Sequence, residues 1–497
     1  MRRAVMLGIA GLSPILVKRW IADLPVMLEM RTEGVWANLS STMPPLSPQA
    51  WISAFSGRNP GAYGAWCSRI RSNHAYTLDT EVNSNILEER IRPLYRILPR
   101  LGQRVGVVNV PATFPVPGIP AGYCVGSASG THAGSMLHTW PKELDGEIRE
   151  ITGDYIPEIT LSGEGRSGLD RKSLLEKIRD MDDQRFRLVK HFIEAKKCDV
   201  VMAVADGTEL VSHLYLRDAD PSHPYHDKSS AEKGVLLDYY RWIDKRIGEI
   251  RTLLDEDTVL CLFSVSGVGP LSAIFNLNEW LFERGYLHLK GRPAEPTPLE
   301  ELDVDWSKTA CWAMGGTGQV YVNLEGREHK GIIPPGEYLA LLEKLSRELA
   351  ETMKAEVFFR NDVCFGPFSH VGPDLFLHLE GGGWRTDQRV GHGRIQDTDR
   401  ARESLLEGFD LCGYISLAGS DFPAGGDLST VSVLDIAPTV IDIMNLRAPY
   451  SDMAYELEGY SILMAMRDSV EEEKPGEGEE KKAEEEKVRS RLEALGY

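Results

Sequence analysis

A serine, a glutamate and a histidine carry the chemistry this sequence offers at first reading. Ser47 lies in residues 44–64, PPLSPQAWISAFSGRNPGAYG, with Pro48 behind it and an apolar run (Ala50, Trp51, Ile52, Ala54, Phe55) that closes on Ser56 and Gly57. Proline fixes φ and lacks an N–H that the first helical turn does not need, so the spacing predicts a helix with Ser47 at its N-cap. Backbone donors and the positive dipole end would then lie near the hydroxyl, a good address for a nucleophile that must receive a phosphate or sulfate. From this segment alone, a plain serine cap on a core helix is the simpler account. Glu209 and His213, in GTELVSHLYLRD, stand four residues apart. On a helix both fall on one face, where a carboxylate and an imidazole could share a cation.

The elements that must position these residues follow from hydrophobic patterning. Residues 4–9 are a continuous apolar strand, and Ala10-Gly11 turn into a helix over about 13–33. Residues 35–40 form a second strand that leads into the Ser47 segment. Residues 104–110, RVGVVNV, are a buried strand followed by the proline-rich loop PATFPVPGIPAG. A charged amphipathic helix over 174–197 feeds the strand 199–204, followed by a polar turn (Asp206, Gly207, Thr208) and the helix carrying Glu209. Another amphipathic helix over 236–255 precedes the strand 258–263.

This alternation predicts a doubly wound α/β fold, a three-layer α/β/α sandwich with a mostly parallel sheet. Ligands of such sheets sit beyond the carboxyl ends of the strands, which singles out Ala10, Ser47, Glu209 with His213, Val265 and Ser266. From 271 to 336 the texture changes to short strands, prolines and aromatics, expected to be an inserted smaller subdomain. A helix over 337–354 is expected to return the chain to the main body, with strands at 374–379 and 411–417 and a helix over 435–445. The core is thus expected to comprise 1–270 and 337–467, with 468–497 an acidic, flexible tail.

Composition bounds the partners. A net charge of −19 argues against nucleic acid and against an anionic membrane surface. Seven cysteines are scattered without a CxxC pair, which reads as buried free thiol in a reducing compartment and not as a disulfide frame or zinc ribbon. The apolar run after Met1-Arg2-Arg3 is too short and too glycine-broken to span a membrane. It reads as the first strand of a cytoplasmic protein, with no membrane span expected.

Taken in order, many segments together resemble the alkaline phosphatase superfamily, specifically its type I phosphodiesterase/nucleotide pyrophosphatase branch. They include the N-terminal strand with its GIAG turn, PPLSPQAWISAFSGRNPGAYG, NVPATFPVPG, HLYLRDADPSHPYHD, FNLNEWLFERGYL, DVDWSKTACWAM, GPFSHVGPDLF and VLDIAPTVIDIMNL. The likeness runs over nearly the whole chain. It implies two metal ions, usually zinc, beside a Thr or Ser nucleophile, because paired cations activate the nucleophile and neutralise phosphoryl charge.

Carried over position by position, the resemblance places the nucleophile at Ser47. The family's first Asp, after the first strand, falls on Ala10. The next Asp and His, four residues apart, fall on Glu209 and His213. The S-D-H-G after a later strand becomes Ser264-Val265-Ser266-Gly267, so Asp is replaced by Val265 and His by Ser266. The last His, four residues before a glycine, falls on Phe409, before Gly413. One metal site thus keeps only Ser47, and the other keeps Glu209 and His213 without a third ligand. Neither set approaches the four ligands that zinc takes. Rescue from His370, His378, His392 or Asp206 is not favoured, since lone loop histidines are mostly surface groups and Asp206 suits a turn beside Gly207.

Three readings follow. The first is a catalytically degenerate member, a pseudoenzyme, with the two-metal centre lost. The second is a hydrolase of phosphate esters using Ser47 with an altered metal site. The third is a scaffold that assembles with a protein partner. No cofactor is expected, or a divalent metal (zinc or manganese) if the chain is active. The expected ligand is a phosphate-containing small molecule.

Overall fold

The computed structural model describes residues 2–127, 137–161, 170–451 and 456–472. Its centre is a nine-stranded sheet built, in chain order, from β1 (Arg3–Ile9), β2 (Val35–Ser40), β3 (Val105–Val108), β4 (Tyr123–Val125), β5 (Thr139–Trp140), β6 (Val200–Ala205), β7 (Thr258–Ser264), β8 (Cys412–Ala418) and β9 (Gly426–Ser432). Their spatial order is β9-β2-β8-β7-β1-β6-β3-β4-β5. The pairs of β1 with β6 and β7 are parallel, as are β3 with β6 and β4 and β2 with β9. Only β8 and β5 run against their neighbours.

Strand alternation sorts the core into two layers. Val5, Leu7 and Ile9 of β1 join a cluster with Leu16, Met27, Leu188, Val211 and Ile243 on one face. Ala4, Met6 and the following Ala10 join Trp51, Phe55, Val265, Ile436 and Val440 on the other. A two-residue period with both faces apolar requires helices on both sides, and the expected three-layer sandwich is present.

Two element boundaries differ from the periodicity. The first long helix is broken into Pro14–Trp20, a 3-10 turn Ile21–Asp23 and Pro25–Glu33. Pro25 offers no N–H and holds Leu24 at φ −122°, out of the helical region. The helix expected from 174 begins at Arg171, because Asp170 accepts from the Lys172 and Ser173 amides and caps it.

A second core lies outside the main sheet. Strands Cys311–Ala313, Gln319–Val322, Leu375–Leu379 and Ala355–Phe359 form a four-stranded sheet. Around it pack side chains from Phe275 to Val390, including Leu342, Leu345 and Leu349 of the helix Tyr338–Met353. That helix therefore covers the second sheet and does not return the chain to the main body. The chain rejoins the main sheet at β8. An apolar helical stripe says that a surface is covered, not which one. Of the tail 468–497, the helix Ile462–Glu472 contains the first residues, and 473–497 lie outside the described residues.

All seven cysteines are free, and all but the half-buried Cys412 are buried. Among the described residues no helix is long and apolar enough to cross a membrane.

Candidate functional site

The loops leaving β1, β6 and β7 meet at the carboxyl end of the sheet. Gly11 adopts φ +72°, and a Cβ there would stand 2.6 Å from the Glu209 Cα. Only glycine lets the turn after β1 close so tightly onto the helix Gly207–Ala219. The Ala10 amide donates to the Ala205 carbonyl at 2.9 Å, and Gly11 bridges to Gly267. The Leu12 amide donates to Ser264 Oγ at 3.2 Å, and that hydroxyl donates to the Ser266 carbonyl at 2.8 Å. Beyond β7, Gly267–Gly269 pairs antiparallel with Gly408–Asp410, setting Val268 opposite Phe409. Positions 10, 209, 213, 266 and 409, scattered over the sequence, thus share one end of the sheet.

Ser47 reaches this end differently from the expectation. The helix runs Gln49–Ser56 with Pro48 at its N-cap, and no side chain caps it. Ser47 lies one residue further out, exposed. The Leu46 carbonyl accepts from the Ala50 amide at 3.0 Å, so the backbone has already begun its turn before the serine hydroxyl is needed. Among the described residues nothing bonds Ser47 Oγ, which leaves it open to solvent. Trp51 anchors the helix: it lies 5.5 Å, ring to ring, from Phe263 of β7 and fills the space beside Gly8 of β1.

Glu209 and His213 do share a helical face, with His213 Nε2 3.8 Å from Glu209 Oε1. His213 is buried, and its Nδ1 accepts the backbone N–H of Glu407 at 3.0 Å. A neutral imidazole has one acceptor nitrogen, so the proton must sit on Nε2, facing Glu209. Metal-ligating histidines instead donate their second ring N–H to a carbonyl or carboxylate. Here a metal at Nε2 would force a proton onto Nδ1, directly against the Glu407 amide.

Of the other positions that the resemblance assigns to ligands, Ala10, Val265 and Phe409 carry no metal-donor atom, and Ser266 only a hydroxyl. Ala10 and Val265 are each 2 % exposed and join the apolar core. Ser266 is buried, and Phe409 packs edge-on against His213 at 5.7 Å. Among the described residues no group of three or more His, Cys, Asp or Glu side chains is placed to hold a metal. This donor set does not fit a two-metal centre.

The distant candidates are occupied elsewhere. His370 is exposed, with Nδ1 against the Pro367 carbonyl at 2.9 Å. His378 lies on the second sheet opposite Glu356, and burial lowers its pKa. His392 stands 3.4 Å from Asp387 and 3.2 Å from Arg400. Asp206 accepts from Asn109 Nδ2 at 3.0 Å and pairs with Arg185 at 3.1 Å. Burial, with the Asp182 and Glu209 carboxylates nearby, pushes its carboxyl up to about 7 against the pull of Arg185.

Three residues at the site had no signal in the sequence. Glu407 is 1 % exposed, accepts from the Leu271 amide at 2.9 Å, and takes a hydrogen bond from His223 Nε2 at 3.0 Å. His223 Nδ1 in turn accepts the Tyr225 amide at 3.0 Å, so its Nε2 carries the proton that Glu407 receives. Arg385, half-buried on the strand Trp384–Asp387, holds its guanidinium 5.6 Å from the Phe409 ring centroid. Burial lowers its pKa, opposed by the carboxylates of Glu209 and Glu407.

The family model for type I phosphodiesterase / nucleotide pyrophosphatase matches residues 4–380. The chain belongs to that family. Its large, mostly parallel sheet flanked by helices is the alkaline phosphatase-like fold. Members typically depend on a divalent metal. No curated protein sequence matches the chain. Among solved structures, it is similar to murine ectonucleotide pyrophosphatase/phosphodiesterase 5, in an inactive variant complexed with AMP. That pair shares 10% identity at a TM-score of 0.47, covering 90% of this chain and 96% of the other. The human counterpart gives 11% identity and a TM-score of 0.49, covering 89% and 95%.

Proposed function

We propose that this chain is a catalytically degenerate member of its family, one that keeps the fold and a phosphate-binding end of the sheet but not two-metal hydrolysis. The observation that carries this reading is the hydrogen bond from the Glu407 amide to His213 Nδ1. It locks His213, the one imidazole retained among the positions the resemblance assigns to ligands, in the tautomer that cannot ligate through Nε2. Ala10, Val265 and Phe409 support the same reading, since none offers a lone pair at positions where the family has carboxylates and imidazoles. Among the described residues no side chain bonds Ser47 Oγ, and an unassisted serine is a weak nucleophile. The ligand class is a phosphate-containing small molecule.

The test is metal content with turnover. The protein is purified without chelator, bound zinc, manganese, iron and magnesium are measured, and aryl phosphate mono- and diesters are assayed with each metal added. The expected result is well under one equivalent of tightly bound metal and no turnover above the Ser47→Ala variant. About one equivalent or more, with turnover abolished by Ser47→Ala, would establish the hydrolase instead.

A further inference from the structure

The geometry points to Arg385 as the cation that holds a phosphoryl anion at the site, in the role that metal ions fill elsewhere in the family. The inference rests on the proposed loss of the metals and names what binds in their absence.

Four observations carry it. First, Arg385 is placed by backbone structure. Its strand pairs with Ala273–Asn276, with Ile274 opposite Arg385, and the neighbouring Thr386 Oγ1 accepts the Gly318 amide at 2.8 Å. The adjoining Gly316 would touch Leu46, next to Ser47, if it carried a Cβ (3.3 Å). The second sheet therefore meets the Ser47 segment at Leu46, through the hairpin that Thr386 holds.

Second, its guanidinium stands over Phe409, whose edge packs on His213. The charge is thus delivered to the position where the family has its last histidine. Phe409 gives the cation a π face but no hydrogen-bond acceptor.

Third, Arg385 has donors to spare. A guanidinium carries five N–H groups in a planar fork, and among the described residues no carboxylate or carbonyl accepts from any of them. Most buried or half-buried arginines of this chain do find such acceptors: Arg71 pairs with Glu328, Arg185 with Asp182 and Asp206, and Arg327 with Asp374. A half-buried fork facing no acceptor suits a tetrahedral oxyanion with two free oxygens, which it would grip bidentately.

Fourth, the nearby carboxylates do not fill the fork. Glu407 already takes the Leu271 amide and His223, while Glu209 faces His213 across 3.8 Å. Both are outside ion-pair distance of Arg385 yet close enough to support its charge. Glu209 therefore opposes an incoming anion, and relieving that repulsion gives the inference a signature that a purely structural arginine lacks.

The experiment is calorimetric titration of the full chain in EDTA and phosphate-free buffer with three probes: inorganic phosphate, phenyl phosphate and diphenyl phosphate. At least one is expected to bind without metal, and the tightest identifies the source as free phosphate, monoester or diester. Arg385→Gln should weaken that binding at least about tenfold, the worth of a bidentate charged pair, and Arg385→Lys by less. Glu209→Gln should tighten it by about threefold. Melting without ligand reports whether each variant is folded, and Glu209→Gln decides the matter should Arg385→Gln fail to fold. No binding of any probe to the metal-free wild type, equal affinity in folded Arg385→Gln, or weaker binding in Glu209→Gln would overturn the assignment. Metal-dependent turnover would overturn the pseudoenzyme reading while leaving this binding result in place.

Discussion

His213 is where the reading of the site can be broken most directly. The residue is buried, and its Nδ1 is the acceptor for the Glu407 amide. His213→Ala removes that acceptor, leaving a buried N–H unpaired at a cost of about 1–3 kcal/mol, and opens a ring-sized void worth about 2 kcal/mol more. The expected loss is therefore about 4 kcal/mol. His213→Asn sets an amide oxygen close to where Nδ1 stood, so the bond survives and the loss should be about 1–2 kcal/mol. Urea unfolding of both variants reads the gap of about 2 kcal/mol as a shift in midpoint at unchanged slope. Nitrogen shifts of the His213 ring should show the Nε2–H tautomer near neutral pH, and added zinc should stabilise wild type and His213→Asn equally little. A ring found as Nδ1–H would refute the assigned hydrogen bond. The reading of the site fails equally if zinc stabilises the wild type strongly and either substitution removes that effect, because His213 would then be a ligand.

Two further expectations concern the frame around the site. For Asp206 the folded-state carboxyl is raised to about 7, so between about pH 4 and pH 7 the folded protein holds a proton that the unfolded chain has lost. Stability then falls as pH rises through that window, and the melting temperature of Asp206→Asn relative to wild type should climb from pH 5 to pH 8, by the equivalent of about 2–4 kcal/mol. A flat difference would show that Asp206 titrates normally. Gly11→Ala should cost about 3 kcal/mol, from the left-handed backbone and from the overlap with the Glu209 backbone at 2.6 Å, read as a lower urea midpoint. An unchanged midpoint would mean the turn after β1 relaxes freely.

What the sequence alone determined is the alternation of the main sheet and the side-chain types that stand at its carboxyl end. Buried parallel strands such as β1, β6 and β7 are continuous apolar runs, and a helix such as Gly207–Ala219 follows from a local period, so both are legible without neighbours. Ala10, Val265 and Phe409 likewise show by residue type alone that their side chains offer no lone pair.

Tertiary structure decided the rest, because it depended on contacts between distant residues. Whether Tyr338–Met353 covers the first sheet or the second turns on long-range packing that its apolar stripe does not encode. Ser47 sits one residue outside its helix because the regular ladder starts with the Ile52 amide on the Pro48 carbonyl, a matter of one backbone bond. The tautomer of His213 is set by an amide 194 residues away, and the charge beside it comes from Arg385 on a strand of another sheet. The type of a side chain shows what it can donate or accept; only the fold shows which partner it meets.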